Sequence, residues 1–401
     1  MALLERIDKL VEEHREEIIG FLQKVVRTPS PTGSEEAVAR LIQRKMSELG
    51  LEVTWVEAAP GRPNVIGHLQ GDRPGTRFLF NGHMDTVPPG PEADWEDDPY
   101  SGRIADGRLY GRGACDMKGG LVAMIFAVGL LRQLGRPPQG SVTVTAVCDE
   151  QIGSELGTQY LIRHGYINHD MAVVGEPTDM RIDVGHKGIL QVKFETRGKA
   201  AHASRPWRGV NAIEHMHVLM SHLRALGDKL QERRDPLLGP ATLNISMIQG
   251  GTFQNMVPSH CSLVVDRRLV YGETEEQALA EFREALEACR RTVPEWQGEM
   301  HVLRFAPAMR VEPDAPVVQL LKDAIRSVTG QEPPVRGKDA GTDATWLSNQ
   351  AGIPTAIFGA GDYRSASLAA NEFIDLEDLV ASVKVYMLVA AKATGYLDAS
   401  A

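Results

Sequence analysis

Cysteine is scarce in this chain and never closely paired: Cys115, Cys148, Cys261 and Cys289 are the only four. That spacing excludes a disulfide scaffold and a cysteine-based zinc site. Basic blocks are also missing, and the formal net charge is -10, which argues against nucleic acid as a partner. Neither a tandem repeat nor a low-complexity segment interrupts the chain. Its opening, M-A-L-L-E-R-I-D-K-L-V-E-E-H, reads as a charged amphipathic helix and not as a signal peptide. No apolar run is expected to reach the length of a membrane span. The expected setting is therefore a reducing cytoplasm, with no membrane partner.

What is present is ordinary for a globular protein: 43% hydrophobic and 24% charged residues. A length of 401 residues suits two domains. The most informative stretch lies between residues 81 and 120: N-G-H-M-D-T-V-P-P-G, a linker, then G-R-G-A-C-D-M-K-G-G. It sets His83, Asp85 and Asp116 in a glycine-rich frame. A strand-like R-F-L-F precedes His83, and a long apolar helix pattern follows Asp116. The strand S-V-T-V-T-A-V-C (141–148) similarly ends on Asp149-Glu150-Gln151, and the strand M-A-V-V (171–174) ends on Gly175-Glu176. Polar residues at the carboxyl ends of strands are how open α/β sheets build active sites.

Strands at about 52–57, 63–69 and 76–81 and helices at 3–27, 35–49, 118–134 and 153–165 give the first half an α/β texture. Ser34 is the expected N-cap of the second helix. From about residue 189 the pattern changes to apolar–polar alternation, in the order β-α-β-β-α-β of a ferredoxin-like domain. After about residue 308 the α/β texture returns. Residues 1–188 and 308–401 thus read as one discontinuous α/β domain, and 189–307 as a domain inserted into it.

His83, Asp116, Glu150 and Glu176 form a histidine–carboxylate set without cysteine, which favours Zn, Mn or Co. Asp85, two residues beyond His83, reads either as a turn residue or as the group that takes the imidazole N–H and fixes the metal-binding tautomer. Glu150 reads either as a general base acting on water or as an acid favoured at a helix start. Position alone does not separate these pairs. His215, His217 and His222 read as surface or interface residues of one helix.

The motifs G-H-M-D-T-V-P, G-R-G-A-C-D-M-K-G-G, D-E-Q-I-G-S, V-G-E-P-T, G-K-A-A-H-A-S-R-P and G-T-D-A occur in this order. Together they resemble the metallopeptidase and deacylase family of acetylornithine deacetylase, succinyl-diaminopimelate desuccinylase, aminoacylase and carboxypeptidase G. The resemblance implies a zinc-peptidase-like three-layer α/β catalytic domain and a ferredoxin-like lid that also forms the homodimer. It implies hydrolysis of an amide bond in a small carboxylate-bearing substrate, usually with two metal ions. His83 and Glu176 would bind one metal, Asp116 would be the ligand that normally bridges two, Asp85 would orient His83, and Glu150 would be the base. His202, reaching over from the partner subunit, would polarise the scissile carbonyl. Asn255 and Arg268 match positions that hold the substrate carboxylate, and Thr342 and Asp343 match a segment lining the site.

Two positions depart from that pattern. The second acid after the base is replaced by Gln151, and the histidine of a C-terminal A-H-x-x-N-E motif by Leu368 in S-L-A-A-N-E. No other alignment supplies the ligand, because the last histidine is His301. Both ligands private to one metal are therefore missing together, and one divalent metal per chain is expected. An aminohydrolase acting on an aromatic amine acid, or a metal-poor binding homologue, is the alternative to a deacylase.

Overall fold

A computed structural model describes residues 3–135, 139–364 and 366–395. The chain divides into two compact units. One comprises Met1–Val184, Val311–Arg336 and Thr342–Ala401, the other Gly185–Arg310 and Gly337–Gly341.

The first unit is built on a mixed sheet. Its strands lie in the order Glu52–Ala59, Arg62–Gln70, Gln139–Val147, Arg73–His83, Met171–Val174, Thr355–Ile357 and Ile182–His186, the last belonging to this unit as far as Val184. The four strands from Gln139–Val147 to Thr355–Ile357 are parallel to one another. The two at the edge run antiparallel. Arg73–His83 is central, and its last six residues, from Phe78, are buried on both faces, which accounts for its continuous apolar pattern. The helix Gly119–Leu131 has no exposed face at all. Gly120 allows its close approach to the sheet, because a Cβ there would overlap the carbonyl oxygen of Gly175. The helix Leu376–Ala393 carries Tyr386, whose ring meets Phe80 edge-on at 5.2 Å and whose hydroxyl donates to Phe358 O at 2.6 Å.

Several local expectations need correction. The stretch Ala114–Leu134 is apolar and long enough to cross a membrane by composition, but it is entirely buried within the protein. The first helix breaks near His14 into Leu3–Glu13 and Arg15–Val26. Ser34 does not cap the next helix: Glu35 takes the N-cap position without a side-chain cap, and its carboxylate is held instead by Gly33 N and Arg62. The helix expected over 153–165 shrinks to Thr158–Arg163. The residues before it form a turn in which Asp149 and Ser154 have φ of 73° and 62°.

The second unit is a ferredoxin-like βαββαβ fold. The antiparallel strands Thr242–Gly250, His260–Leu269, Gly188–Arg197 and Gln297–Ala306 lie side by side in that order. Leu190, Val192 and Phe194 point inward, and Gln191, Lys193 and Glu195 alternate with them, partly exposed on the other face. The helices Ala212–Leu230 and Glu275–Thr292 are capped by Asn211 and by a Thr274–Gln277 capping box. Phe194 and Phe282 meet edge-on at 5.4 Å in this core. His215, expected at a surface or interface, is buried there, with Trp296 Nε1 donating to its carbonyl at 2.9 Å.

Candidate active site

Three adjacent parallel strands deliver the principal side chains. His83 ends the central strand, Glu150 follows Gln139–Val147, and Glu176 follows Met171–Val174. Strands about 4.8 Å apart bring their carboxyl ends together without any long side chain having to stretch. Asp116 arrives from the turn Ala114–Lys118, which precedes the buried helix, and a cis peptide bond links it to Met117. The Nε2 of His83 lies 3.2 Å from Asp116 Oδ1, 3.5 Å from Glu176 Oε1 and 3.8 Å from Glu150 Oε2. Around a cation with bonds of about 2.1 Å, neighbouring tetrahedral donors sit about 3.4 Å apart. Measured from Nε2, Asp116 and Glu176 lie near that spacing and Glu150 slightly further out, while the set whose ligand atoms all lie within 4.8 Å of one another is His83, Glu150 and Glu176. The donor set therefore fits a divalent cation, with one imidazole and carboxylates in the pattern of Zn, Mn or Co.

The tautomer is set differently from the expectation. His83 Nδ1 is 2.8 Å from the main-chain carbonyl of Asp85, which fixes the proton on Nδ1 and leaves Nε2 for a metal. The Asp85 carboxylate is 3.6 Å from that nitrogen. It instead accepts from Thr32 Oγ1 at 2.7 Å, Glu150 N at 3.1 Å and Gln151 N at 3.2 Å. Asp85 thus ties the histidine and the Glu150 turn together, one through its backbone and the other through its side chain.

The Glu150 turn is held from behind as well. Arg62 makes a two-point contact with Glu35 at 2.9 Å and reaches Asp149 Oδ1 at 2.6 Å. Asp149 Oδ2 accepts from Leu156 N at 3.1 Å. Asp343 is buried beside this turn, accepting from Ser154 Oγ and, at 2.8 Å, from Thr158 Oγ1. Burial raises its carboxyl to about 6 against the help of those two hydroxyls and of His83. Thr342 is buried next to it, accepting from Ala344 N at 3.2 Å.

Burial also raises the Glu150 carboxyl well above the ordinary range; His83 opposes this and Glu176, Asp343 and Asp85 add to it. For His83, burial works against the charged ring. Asp116, Glu176, Glu150 and Asp85 outweigh it and raise its pKa well above the usual value. The imidazole thus stands among the carboxyl groups of Asp116, Glu176, Glu150 and Asp85, a donor set that suits a cation.

Asp116 is clamped by a residue whose role the sequence did not reveal. Glu372 is fully buried, and its Oε1 accepts from the backbone N–H groups of Cys115 and Asp116, both at 2.9 Å. Its other oxygen takes Arg112 Nη1 at 2.6 Å. Burial nevertheless lifts its carboxyl to about 7. Arg112 also donates to Leu368 O at 3.3 Å. Leu368 has φ of 60° and is 47% exposed. Its neighbour Ser367 donates to Asp116 Oδ2 at 2.7 Å. Gln151 follows Glu150 in the turn, half-buried.

The remaining sequence-derived residues lie in the second unit. His202 is exposed on a loop, paired in a short antiparallel bridge with Met256 and followed by Ala203 N donating to Asn255 O at 2.9 Å. Ser204 N donates to His202 Nδ1 at 3.1 Å, so the neutral ring carries its proton on Nε2. Asn255 is exposed. Arg268 lies on the strand His260–Leu269 with Nε 2.8 Å from Asp266 Oδ1. A second donor group, Glu195, Glu299 and His301, lies on the outer sheet face. Its carboxylates already meet Lys193 and Arg197.

A mixed sheet with a histidine–carboxylate cluster at the carboxyl ends of its parallel strands, in a chain that also carries a ferredoxin-like unit, defines a metal-dependent hydrolase of the zinc-peptidase-like class. Residues 79–392 match the model of Peptidase family M20/M25/M40, and the chain belongs to that family. It is 30% identical over 416 residues to N-formyl-4-amino-5-aminomethyl-2-methylpyrimidine deformylase of Bacillus subtilis (strain 168), covering 95% of both chains. It is 30% identical over 377 residues to acetylornithine deacetylase of Photorhabdus laumondii, covering 89% of this chain and 92% of that one. Among solved structures, an M20 family metallo-carboxypeptidase from Sulfolobus solfataricus superposes with a TM-score of 0.82 at 22% identity, over 95% of this chain and 100% of that one. The protein is accordingly a metallohydrolase acting on carbon–nitrogen bonds, with the zinc-peptidase-like fold that its motifs imply.

Proposed function

We propose that the protein hydrolyses the amide bond of a small N-acyl compound with a single divalent cation per chain. The observation that carries this reading is the asymmetry around Asp116. One oxygen faces His83, with Glu176 close to the same ring nitrogen, and the other faces Ser367. Gln151 and Leu368 stand where the ligands of a second cation are expected.

A cation held by His83, Asp116 and Glu176 would acidify an attacking water and draw charge from the acyl oxygen. Glu150 accepts the proton of that water as its oxygen bonds to the acyl carbon. The same carboxyl then returns the proton to the nitrogen as the carbon–nitrogen bond breaks. Burial raises the Glu150 carboxyl above its ordinary range, the direction that makes its carboxylate a stronger base. The Nε2–H of His202, supplied by a second copy, donates to the developing oxyanion. Asn255 and Arg268 hold a substrate carboxylate, for which the planar guanidinium is suited.

Homodimerisation through the inserted unit, acting as lid, is supported by its edge strand Thr242–Gly250. That edge exposes Met247 and Ile248, with Phe253 and Met256 close by in sequence. Light scattering at twice the chain mass supports this assembly, and a monomer at micromolar concentration rules it out. Four buried cysteines, none of them in a disulfide, suit a reducing compartment.

A second substrate reading has its own support. Leu368 gives the site an exposed apolar side chain, and Asp266 already partners Arg268. Both favour an uncharged, flat acyl-amine of the kind named for the Bacillus subtilis relative. Turnover assays on N-acetyl and N-succinyl amino acids, set against N-formyl aminomethylpyrimidines, decide between the two. Glu150→Gln tests the mechanism: turnover should fall about 10²–10⁴-fold with the metal retained. Near-normal turnover would remove Glu150 from the mechanism.

A further inference from the structure

The retained carboxylate Asp116 has two oxygens with different partners, and that difference carries an assignment. Oδ1 is 3.2 Å from His83 Nε2. Oδ2 accepts the Ser367 hydroxyl at 2.7 Å across 251 residues of chain. A carboxylate that bridges two cations needs one oxygen for each. Here the second oxygen is engaged by a neutral donor that balances no charge and leaves the first oxygen directed at the histidine.

We propose that Ser367 is a positioning residue that stands in for a second cation. Its hydroxyl holds Asp116 so that one oxygen serves the single metal, and it closes the other oxygen to a second. This deepens the one-cation reading and rests on it.

The surroundings make this a built arrangement. The Asp116 backbone N–H is fixed by Glu372 Oε1 at 2.9 Å, and Arg112 locks the other Glu372 oxygen at 2.6 Å. The same guanidinium donates to Leu368 O at 3.3 Å, which fixes the backbone directly after Ser367. The backbone N–H of Asp116 and the carbonyl next to Ser367 are therefore both anchored to one buried Arg112–Glu372 pair. Leu368, with φ of 60°, is 47% exposed and offers no ligand atom. Gln151, Ser367 and Leu368 then form a coupled set. Restoring the two lost ligands alone leaves Asp116 Oδ2 engaged, and the hydroxyl must also go before a second cation finds its bridge.

The test is zinc and manganese binding to the full-length chain, measured by equilibrium dialysis and calorimetry with the metal alone. Wild type should bind one ion. Ser367→Ala should still bind one, about 10–100-fold more weakly, the usual effect of removing a hydrogen-bond partner of a ligand. Ser367→Thr, which keeps the hydroxyl, should restore affinity. Q151E/L368H should remain at one tight ion, and Q151E/S367A/L368H should reach two. Matching metal-free melting curves for wild type and Ser367→Ala separate a binding effect from unfolding. Two tight ions in wild type would overturn the one-cation reading and this proposal together. One ion in wild type with undiminished affinity in Ser367→Ala would overturn the role of Ser367 alone.

Discussion

Replacing Asp85 separates its two tasks, because the histidine is held by its carbonyl and the base turn by its carboxylate. The carboxylate is fully buried and accepts three hydrogen bonds, from Thr32 Oγ1, Glu150 N and Gln151 N. In Asp85→Ala the Thr32 hydroxyl can turn elsewhere, but two inward-facing amide N–H groups lose their acceptor. At about 1–3 kcal/mol for each unsatisfied donor, the loss is about 2–6 kcal/mol. Burial already disfavours the charged carboxylate and raises its pKa, so removing it relieves part of that strain, and the lower half of the range is expected, about 3 kcal/mol. Asp85→Asn keeps one acceptor oxygen but turns an NH₂ toward the turn, for about 2 kcal/mol. Neither change touches the carbonyl that accepts from His83 Nδ1. Urea denaturation of the metal-free protein reads the first effect, and a zinc titration reads the second. The urea midpoint should fall in both variants, while zinc affinity in Asp85→Asn should drop less than about tenfold, below the usual effect of removing a histidine's orienting partner. An unchanged midpoint with a 10–100-fold loss of zinc affinity would show that the carboxylate orients the ring, and would refute this division of labour.

Two further predictions concern the frame around the site. His169 is pushed down to about 4 by burial and by the charges of His68 and Arg77, against Asp170. The unfolded chain, near 6.5, takes up a proton that the folded ring refuses. Stability from this group is therefore complete above about pH 6.5 and falls as pH drops toward 4, by at most about 3 kcal/mol. His169→Gln should flatten the decline of the urea midpoint between pH 7 and 4.5, and equal slopes would contradict the assignment. Gly120→Ala should destabilise the fold by about 1–3 kcal/mol and weaken metal binding, because the added carbon presses on the carbonyl beside Glu176. A variant with wild-type melting and metal affinity would show that the helix has room to move away.

Much of the catalytic unit was legible because its active residues follow strands directly. A short apolar run that stops on His83, Glu150 or Glu176 reports both the strand and its carboxyl end. The ferredoxin-like unit was legible from its apolar–polar alternation and from the order of its elements. What stayed hidden depends on partners distant in sequence. Glu372 reaches Asp116 across 256 residues and Ser367 reaches it across 251, and no local pattern encodes either contact. Glu35 looked like the first turn of a helix until Arg62 gave its carboxylate another use. The helix expected from residue 153 lost its start because Asp149 and Ser154, at positive φ, spend their side chains on Leu156 N and Asp343. Asp85 was recognised as the partner of His83, yet residue type alone does not tell a carboxylate from a carbonyl as the acceptor.

The central claim, hydrolysis with one cation per chain, meets its most direct test in a titration of metal-free protein with zinc while amide cleavage is followed on the best acyl substrate. Activity should rise linearly and reach its plateau at one equivalent, with one tight ion counted per chain at that point. A plateau reached only at two equivalents, or binding of one ion with no turnover on any amide, would contradict the account.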